Sequence, residues 1–248
     1  MDLTPISDGD ARVPPDMLLH GPGWPDGFLD ADGLMHVNFG GFLVRTREHV
    51  VVIDTGFGSG TFRERLPVAP EEVDHVVFTH LHWDHVGWST DGVSPLFTRA
   101  EHHCHAIDWD YWCGPDPVAE TAPGREDFGA IPAPERLAPL AETIRKHSAE
   151  RTEIVPGVTL RLAPGHTPGH CIVELDGAVI LADAAHNPAQ LLSDGWTSAT
   201  DEDAELARTT RNALATELRD SGTLIAMTHH PHMGRLTGGG WVQAPSIE

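Results

Sequence analysis

The chain has 248 residues, 40% of them hydrophobic, so it is long enough to form one sizeable hydrophobic core. It carries 16 basic and 37 acidic side chains, and this formal net charge of -21 disfavours nucleic acid and anionic membranes as partners, because both are bound through basic surfaces. We find no apolar run of about 18 residues and no signal-peptide pattern at the N-terminus, so we expect a cytoplasmic protein that does not span a membrane.

Hydrophobic periodicity and turn residues predict a series of alternating strands and helices. In chain order these are a loop segment at 1–33, paired strands within 34–54 with turns at Gly40-Gly41 and Arg47-Glu48, a short helix after the glycines of 56–60, a strand at 74–79, a helix at 101–112, a Pro- and Gly-rich lid or surface loop at 113–134, a helix near 135–147, strands at 158–163, 171–175 and 178–182, a helix at 201–220, and a strand at 223–228. No linker or repeat divides these elements, so we expect a single domain of layered α/β type covering residues 1–248.

The stretch THLHWDHVGW follows the predicted strand at 74–79 and concentrates side chains of the kind that bind metals. They are His80, His82, Asp84 and His85. Since residues two apart in an extended segment point the same way, His80 and His82 can present two imidazoles to one ion. Four ligands from one loop cannot complete two coordination spheres, so further ligands must come from elsewhere.

Three more such side chains follow other predicted strands or lie in their exit loops. They are His166 in APGHTPGH, Asp183 in ILADAAH and His229 in IAMTHHPH. Imidazole and carboxylate donors without thiolate favour Zn²⁺, and they also suit Fe, Mn or Co. The donor types therefore predict a site for divalent metal ions.

This pattern resembles the metallo-β-lactamase-fold hydrolases. The resemblance rests on the HxHxDH signature at 80–85, the PGHTPGH stretch, the Asp after a strand and the late His, and it extends from about Val51 to Arg235. It implies a four-layer αββα sandwich with the site at one edge. It also implies a ligand set: one metal ion takes His80, His82 and His166, the other takes Asp84, His85 and His229, and Asp183 bridges the two together with a water or hydroxide. His166 is chosen over His170 because members of the family place the ligand in the first GH of this motif.

The resemblance implies a dinuclear metal-dependent hydrolase, in which a metal-bridging hydroxide cleaves a lactone or carboxylic ester of a small molecule. Asp84, Asp183 and His186 are the candidate catalytic residues, and His186 would polarise the substrate or protonate a leaving group. Homoserine-lactone lactonases often have Tyr at the position of His186, whereas organophosphate hydrolases tend to have His. A phosphotriesterase-like or β-lactam-cleaving hydrolase is therefore an alternative, and a non-catalytic metal-holding binding protein is another. A homodimer is the default expectation for the assembly.

Several other residues near these motifs are predicted to have structural roles, and the roles of a few are left open. Asp54 is expected to orient a ligand histidine, with a plain Asp-Gly turn as the alternative. The histidines at 102, 103 and 105 are expected at the surface, whereas those at 170, 230 and 232 have no settled role. Trp83 and Trp88 are expected to pack beneath the metal loop rather than to touch substrate. The remaining aromatic residues either wall an apolar pocket or pack in the core; they are Trp24, Phe28, Trp109, Tyr111 and Trp112. Loops 14–32 and 113–134 are expected to shape the substrate pocket.

Overall fold

Two large β-sheets form the centre of the protein, in a computed structural model that describes residues 1–119 and 126–245. The strands are β1 (Asp2–Val13), β2 (Leu19–His20), β3 (Met35–Arg45), β4 (Val50–Ile53), β5 (His75–Val77), β6 (Glu101–His105), β7 (Arg145–His147), β8 (Arg151–Val155), β9 (Val158–Leu162), β10 (Cys171–Leu175), β11 (Ala178–Ile180), β12 (Thr197–Ser198), β13 (Leu224–Ala226), β14 (Gly234–Thr237) and β15 (Gly240–Gln243). The first sheet has the order β1-β3-β4-β5-β6-β7, and the second has the order β15-β14-β13-β11-β10-β9-β8. Strands β2 and β12 form a separate antiparallel pair.

Within the described ranges, six α-helices accompany the sheets. They are α1 (Phe62–Arg65), α2 (Trp83–Val86), α3 (Ala106–Cys113), α4 (Ala133–Leu137), α5 (Ala189–Leu192) and α6 (Ala204–Leu218). The longest, α6, begins where the Asp203 carboxylate accepts a hydrogen bond from the Leu206 amide, and this N-cap confirms the helix predicted at 201–220. Among the described residues, no helix combines the length and hydrophobicity needed to cross a membrane.

Alternation along the strands places the sheets face to face. Val51 and Ile53 of β4 face inwards and pack with Val173 of β10, in the core between the two sheets. Val52 faces the other way and packs with α3 and α4 on the outside of the first sheet. The second sheet is covered in the same way by α6, through side chains such as Leu214. The layers are therefore helix, sheet, sheet and helix, which confirms the predicted αββα sandwich.

The N-terminal segment differs from the prediction. Instead of a continuous loop over 1–33, it contains the 12-residue strand β1, which pairs antiparallel with β3 from Asp2 to Val13 with one bulge at Asp8. The turn predicted at Gly40-Gly41 is also wrong, because β3 runs straight through it. A side chain at Gly40 would collide with the carbonyl of Ile6, and one at Gly41 with the carbonyl of Asp54, so these glycines allow close approach of neighbouring strands.

Two predicted helices are wrong in part. The segment 101–112 begins as strand β6, and only from Ala106 onwards is it helical. The segment near 135–147 contains the short helix α4, a single 3-10 turn at Ala138–Leu140 and then strand β7. Pro139 lacks the amide hydrogen that a continuous helix would require, which explains this break. Of the lid or loop predicted at 113–134, residues 120–125 lie outside the described residues.

Candidate metal centre

The C-terminal ends of one strand from each sheet bring the first three predicted ligands together. His80 and His82 follow β5, and His166 lies in the connection between β9 and β10. The Nδ1 atom of His82 lies 3.0 Å from His80 Nε2 and 3.0 Å from His166 Nε2. All three rings are buried. One nitrogen from each ring therefore points at a common position.

The second set of ligands meets beside the first. Asp84 and His85 belong to the first turn of α2, and His229 follows β13. The Asp84 carboxylate lies 3.9 Å from His85 Nε2 and 3.6 Å from His229 Nε2. These three side chains are also buried, with Asp84 the most exposed at 8%.

Asp183 lies between the two sets and contacts both. Its Oδ1 is 3.2 Å from His85 Nε2, and its Oδ2 is 3.1 Å from His229 Nε2 and 3.3 Å from His166 Nε2. The residue sits in the 3-10 turn that follows β11, where Ala182 takes a left-handed backbone with φ 46°. All seven predicted ligands are therefore within one cluster.

The outward-facing nitrogens of the histidines are held by specific partners. His85 Nδ1 lies 2.8 Å from the Asp54 carboxylate, and His229 Nδ1 lies 2.9 Å from the Asn38 carbonyl. His166 Nδ1 lies 3.2 Å from Asp201. A hydrogen bond to Nδ1 places the ring proton there and leaves the Nε2 lone pair free to face the centre.

Asp54 supports more than one part of the centre. Its carboxylate accepts hydrogen bonds from the amide and the hydroxyl of Thr79 as well as from His85. The Thr79 hydroxyl in turn lies 3.1 Å from His80 Nδ1. Asp54 therefore links the end of β4 to one ligand histidine of each set, His85 directly and His80 through Thr79, and is more than a simple Asp-Gly turn.

Two supporting residues carry no recognisable signal in the sequence. Asp201 lies 35 residues after His166, and its second carboxylate oxygen accepts from the Ser198 amide and the buried Arg211 guanidinium. Asp108 in α3 accepts from the Leu81 amide, between two ligand histidines, and from the Gly169 amide. Both contacts join segments that are distant in the chain.

The electrostatics of the cluster suit a cation. Burial lowers the pKa of His80 and of His82 well below the ordinary value, so both rings are neutral and keep lone pairs for a metal. Burial on its own would raise the pKa of Asp183, but the neighbouring imidazoles of His229 and His85 lower it well below the ordinary value. An ionised carboxylate surrounded by imidazole nitrogens is thus the expected state.

Several buried polar atoms of the cluster lack hydrogen-bond partners among the described residues, as expected for atoms that bind metal ions. His85 Nε2 and Asp183 Oδ1 are buried and make no hydrogen bond within the described part of the chain. The Nδ1 atom of His82 faces two other nitrogens, and one proton can satisfy only one of those contacts. Divalent cations would satisfy all of these atoms, and the donor set suits zinc and related metals. The sandwich and its edge site together define a metallohydrolase.

A cavity of about 270 Å³ opens onto this cluster. One wall consists of polar side chains of the centre, namely His82, Asp84, Asp183, His186 and His229. The opposite wall is largely apolar and consists of Ala11, Val13, Met17, Leu18, Val37, Phe39, Trp83 and Phe128. Loops 14–32 and 113–134 therefore each contribute residues to the cavity, as predicted. Trp83 packs with Phe39 and Phe57 in a hydrophobic cluster and also borders this cavity.

His186 lies at the junction of the two walls. Its Nε2 is 3.2 Å from Asp183 Oδ2 and 3.4 Å from Thr200 Oγ1, and its ring stacks on His229 with centroids 5.2 Å apart. Its Nδ1 is buried and has no hydrogen-bond partner among the residues that the structure describes. His186 is thus adjacent both to the metal ligands and to the cavity.

Other predicted candidates lie away from this cavity. His170 packs behind the centre, with Nδ1 3.1 Å from the Ala163 carbonyl and Nε2 accepting from the Asp183 amide. His230 lines a different cavity, and His232 is exposed. Trp88 packs beneath the metal loop as expected, and its indole donates to Asp8.

Exposed fractions and packing contacts show where the remaining aromatic and histidine candidates lie. The surface prediction for the histidines at 102, 103 and 105 is wrong, since β6 is an interior strand of the first sheet and all three are at most 4% exposed. Trp109, Tyr111 and Trp112 pack in the core outside the first sheet. Trp24 and Phe28 pack against the hydrophobic cluster behind the cavity rather than lining it.

Comparisons with known proteins agree with this fold. A family model described as the metallo-beta-lactamase superfamily matches residues 41–229. Among solved structures, the hydrolase AbOPH of the beta lactamase superfamily has a TM-score of 0.80 at 22% identity, covering 99% of this chain and 95% of that chain. AidC, a dizinc quorum-quenching lactonase, has a TM-score of 0.78 at 20% identity, covering 99% and 94%. A probable metal-dependent hydrolase from Staphylococcus aureus has a TM-score of 0.75 at 16% identity, covering 100% and 98%.

The chain belongs to the metallo-beta-lactamase superfamily. It is a metal-dependent hydrolase that uses divalent metal ions, as the resemblance in the sequence predicted. The likeness to individual solved structures extends to the fold, and the substrate requires a separate argument from the cavity.

Proposed function

We propose that this enzyme uses two Zn²⁺ ions to hydrolyse a lactone or another carboxylic ester of a small molecule. One ion would be held by His80, His82 and His166, the other by Asp84, His85 and His229, and Asp183 would contact both. Three clusters of donor atoms support this assignment, since each brings its atoms within 4.8 Å of one another: His80, His82 and His166; His80, His85 and Asp183; and Asp84, His85 and His229.

The observation that carries the proposal is the two-sided cavity. Its volume of about 270 Å³ is close to the lower end of small-molecule sites, roughly 300–1,000 Å³, and suits a compact substrate. An ester linkage placed against the polar wall would leave its apolar substituent against Phe39, Trp83 and Phe128. A lactone or ester with a hydrocarbon side chain combines these two requirements. The dizinc lactonase AidC shares the fold, which favours the same substrate class.

The residues around the cavity would have different roles in the reaction. When bound, the two ions would supply Lewis acidity towards the ester carbonyl and towards water. Asp84 and Asp183 would hold the ions, and the apolar wall would bind the substituent and exclude bulk water. His186 lines the cavity with its Nε2 3.2 Å from the Asp183 carboxylate, and it would polarise a substrate oxygen or protonate the departing alkoxide through Nε2.

The test compares ester classes with metal-loaded protein. Rates are measured on a series of lactones, aryl esters, a paraoxon-type triester and a chromogenic β-lactam, before and after treatment with a chelator. We expect lactones or esters to give the highest kcat/KM and chelation to abolish it. The His80→Ala/Asp183→Ala double variant should be inactive, whereas His36→Ala, which removes an exposed histidine remote from the centre, should retain full activity. Unchanged turnover by the metal-free double variant would refute the metal mechanism.

A phosphotriesterase is the second candidate, and His186 is the observation that favours it. The imidazole contacts Asp183 and reaches the cavity, in the position where the resemblance associates histidine with organophosphate hydrolysis. A kcat/KM for the triester above that for every lactone and ester would establish this alternative.

The cytoplasmic location and the homodimer remain predictions. The oligomeric state can be measured by light scattering.

A further inference from the structure

A row of imidazoles crosses the first sheet at a position that the proposed reaction does not use. His75 begins β5, whose C-terminal end leads to His80, while His103 lies within β6 and His147 ends β7. His75 Nδ1 lies 3.1 Å from His103 Nε2, and His103 Nδ1 lies 3.0 Å from His147 Nε2. The parallel pairing of β5, β6 and β7 holds these three rings side by side.

A carboxylate completes the donor set at one end of this row. Glu101 Oε2 lies 3.9 Å from His75 Nδ1, and one donor atom each from His75, Glu101 and His103 fall within 4.8 Å of one another. The other oxygen of Glu101 pairs with Arg145, which fixes the carboxylate and offsets part of the guanidinium charge. His103 is buried, whereas the side chains of His75 and Glu101 are 12% and 47% exposed, so an ion can enter from solvent.

We propose that His75, Glu101 and His103 form an additional metal site that binds one Zn²⁺ ion. Two imidazole nitrogens and one carboxylate oxygen are a donor set that zinc accepts, and three protein ligands leave a position for water. His147 would act through His103, because a partner on Nδ1 fixes the ring and leaves Nε2 for the ion. The ion would take the place of the single proton shared between His75 and His103.

The experiment counts zinc per chain. Protein is equilibrated by dialysis against buffered free Zn²⁺, and bound zinc is measured by elemental analysis. We expect three ions in the wild-type chain and two in His75→Gln and in Glu101→Gln, with hydrolytic activity retained. The Glu101 side chain is 47% exposed, and the largely buried His75 is replaced by a polar side chain, so wild-type circular dichroism spectra are required of both variants. The matched control is His36→Gln, which removes an exposed imidazole paired with Asp10 at 3.0 Å and should leave three ions bound.

A variant of the proposed catalytic centre distinguishes zinc bound there from zinc bound at the additional site. In the His80→Ala/Asp183→Ala variant, one ion should remain, and adding His75→Gln should remove it. The proposal would be overturned if the wild-type chain bound only two ions. It would also be overturned if a third ion persisted in both His75→Gln and Glu101→Gln. The row of histidines would then be a hydrogen-bonded chain of imidazoles without a metal ion. Failure of the proposed hydrolysis would not affect this count.

Discussion

The Asp54→Asn variant tests whether a buried carboxylate orients a metal-binding histidine. Asp54 has a left-handed backbone with φ 56°, which Asn also adopts readily, so the substitution removes charge without adding backbone strain. The carboxylate accepts three hydrogen bonds: at 2.8 Å from the Thr79 amide, at 2.7 Å from the Thr79 hydroxyl and at 2.8 Å from His85 Nδ1. An amide has one oxygen, so its NH₂ group must face at least one of these donors.

The consequence for the metal centre follows from the tautomer of His85. If the side-chain oxygen of the introduced Asn still accepts the hydrogen bond from the Thr79 amide, its NH₂ group faces His85 Nδ1. That contact favours the His85 tautomer that carries its proton on Nε2. That proton would point at the position of the metal. Losing a hydrogen bond to a charged group costs about 1.5–3 kcal/mol. At about 1.4 kcal/mol per factor of ten, zinc should bind about 10- to 150-fold more weakly.

Zinc affinity is measured by competition with a chromophoric chelator. The control is Asp91→Asn, which alters an exposed carboxylate that accepts from the Val93 and Ser94 amides in a surface loop. The control should bind zinc as the wild-type chain does, and both variants should give the wild-type circular dichroism spectrum. If Asp54→Asn binds both catalytic ions with wild-type affinity, the carboxylate does not set the orientation of His85, and the reasoning is wrong.

Three further predictions address other parts of the site. Asp201→Asn should weaken zinc binding about tenfold, because it removes the carboxylate that holds His166 Nδ1; an unchanged affinity in chelator competition would argue against that role. Phe128→Ala should raise KM about 5- to 30-fold for esters with a long apolar substituent, by loss of about 1–2 kcal/mol of apolar contact, and should leave KM for acetyl esters unchanged. Removing zinc present at about 100 times its Kd should cost about 2.7 kcal/mol and lower Tm by about 5–10 °C in calorimetry, whereas an equal Tm would mean that the ions do not stabilise the fold.

The proposed ligands could be picked out of the sequence because each lies in the segment that follows a strand. A short spacing such as His80 to His82 fixes relative orientation through backbone geometry alone, and the downstream ligands repeat the same strand-exit position. The choice between His166 and His170 could not be made from spacing. In the structure only His166 points its Nε2 at the cluster, while both ring nitrogens of His170 contact backbone atoms.

The errors in the fold arise where tertiary pairing overrides local pattern. Strand β6 is covered on both faces, so it shows no alternation of apolar and polar residues, and the sequence EHHCH does not distinguish strand from helix. Strand β1 contains Pro5 and Gly9, which disfavour an interior strand but are tolerated at a sheet edge. Its pairing with β3 depends on a partner that lies more than twenty residues away.

The histidines near position 103 show why a cluster in sequence is not a cluster in space. Consecutive residues of a strand point to opposite faces, so His102 stacks on Phe78 outside the first sheet while His103 contacts His75 on the other side. His75 and His147 lie 28 and 44 residues from His103, and only the register of three parallel strands joins them. Strand alignment also gathers the proposed catalytic ligands at the C-terminal ends of the strands. The additional metal site that we propose thus depends on lateral strand register, which no spacing within a single segment of the sequence encodes.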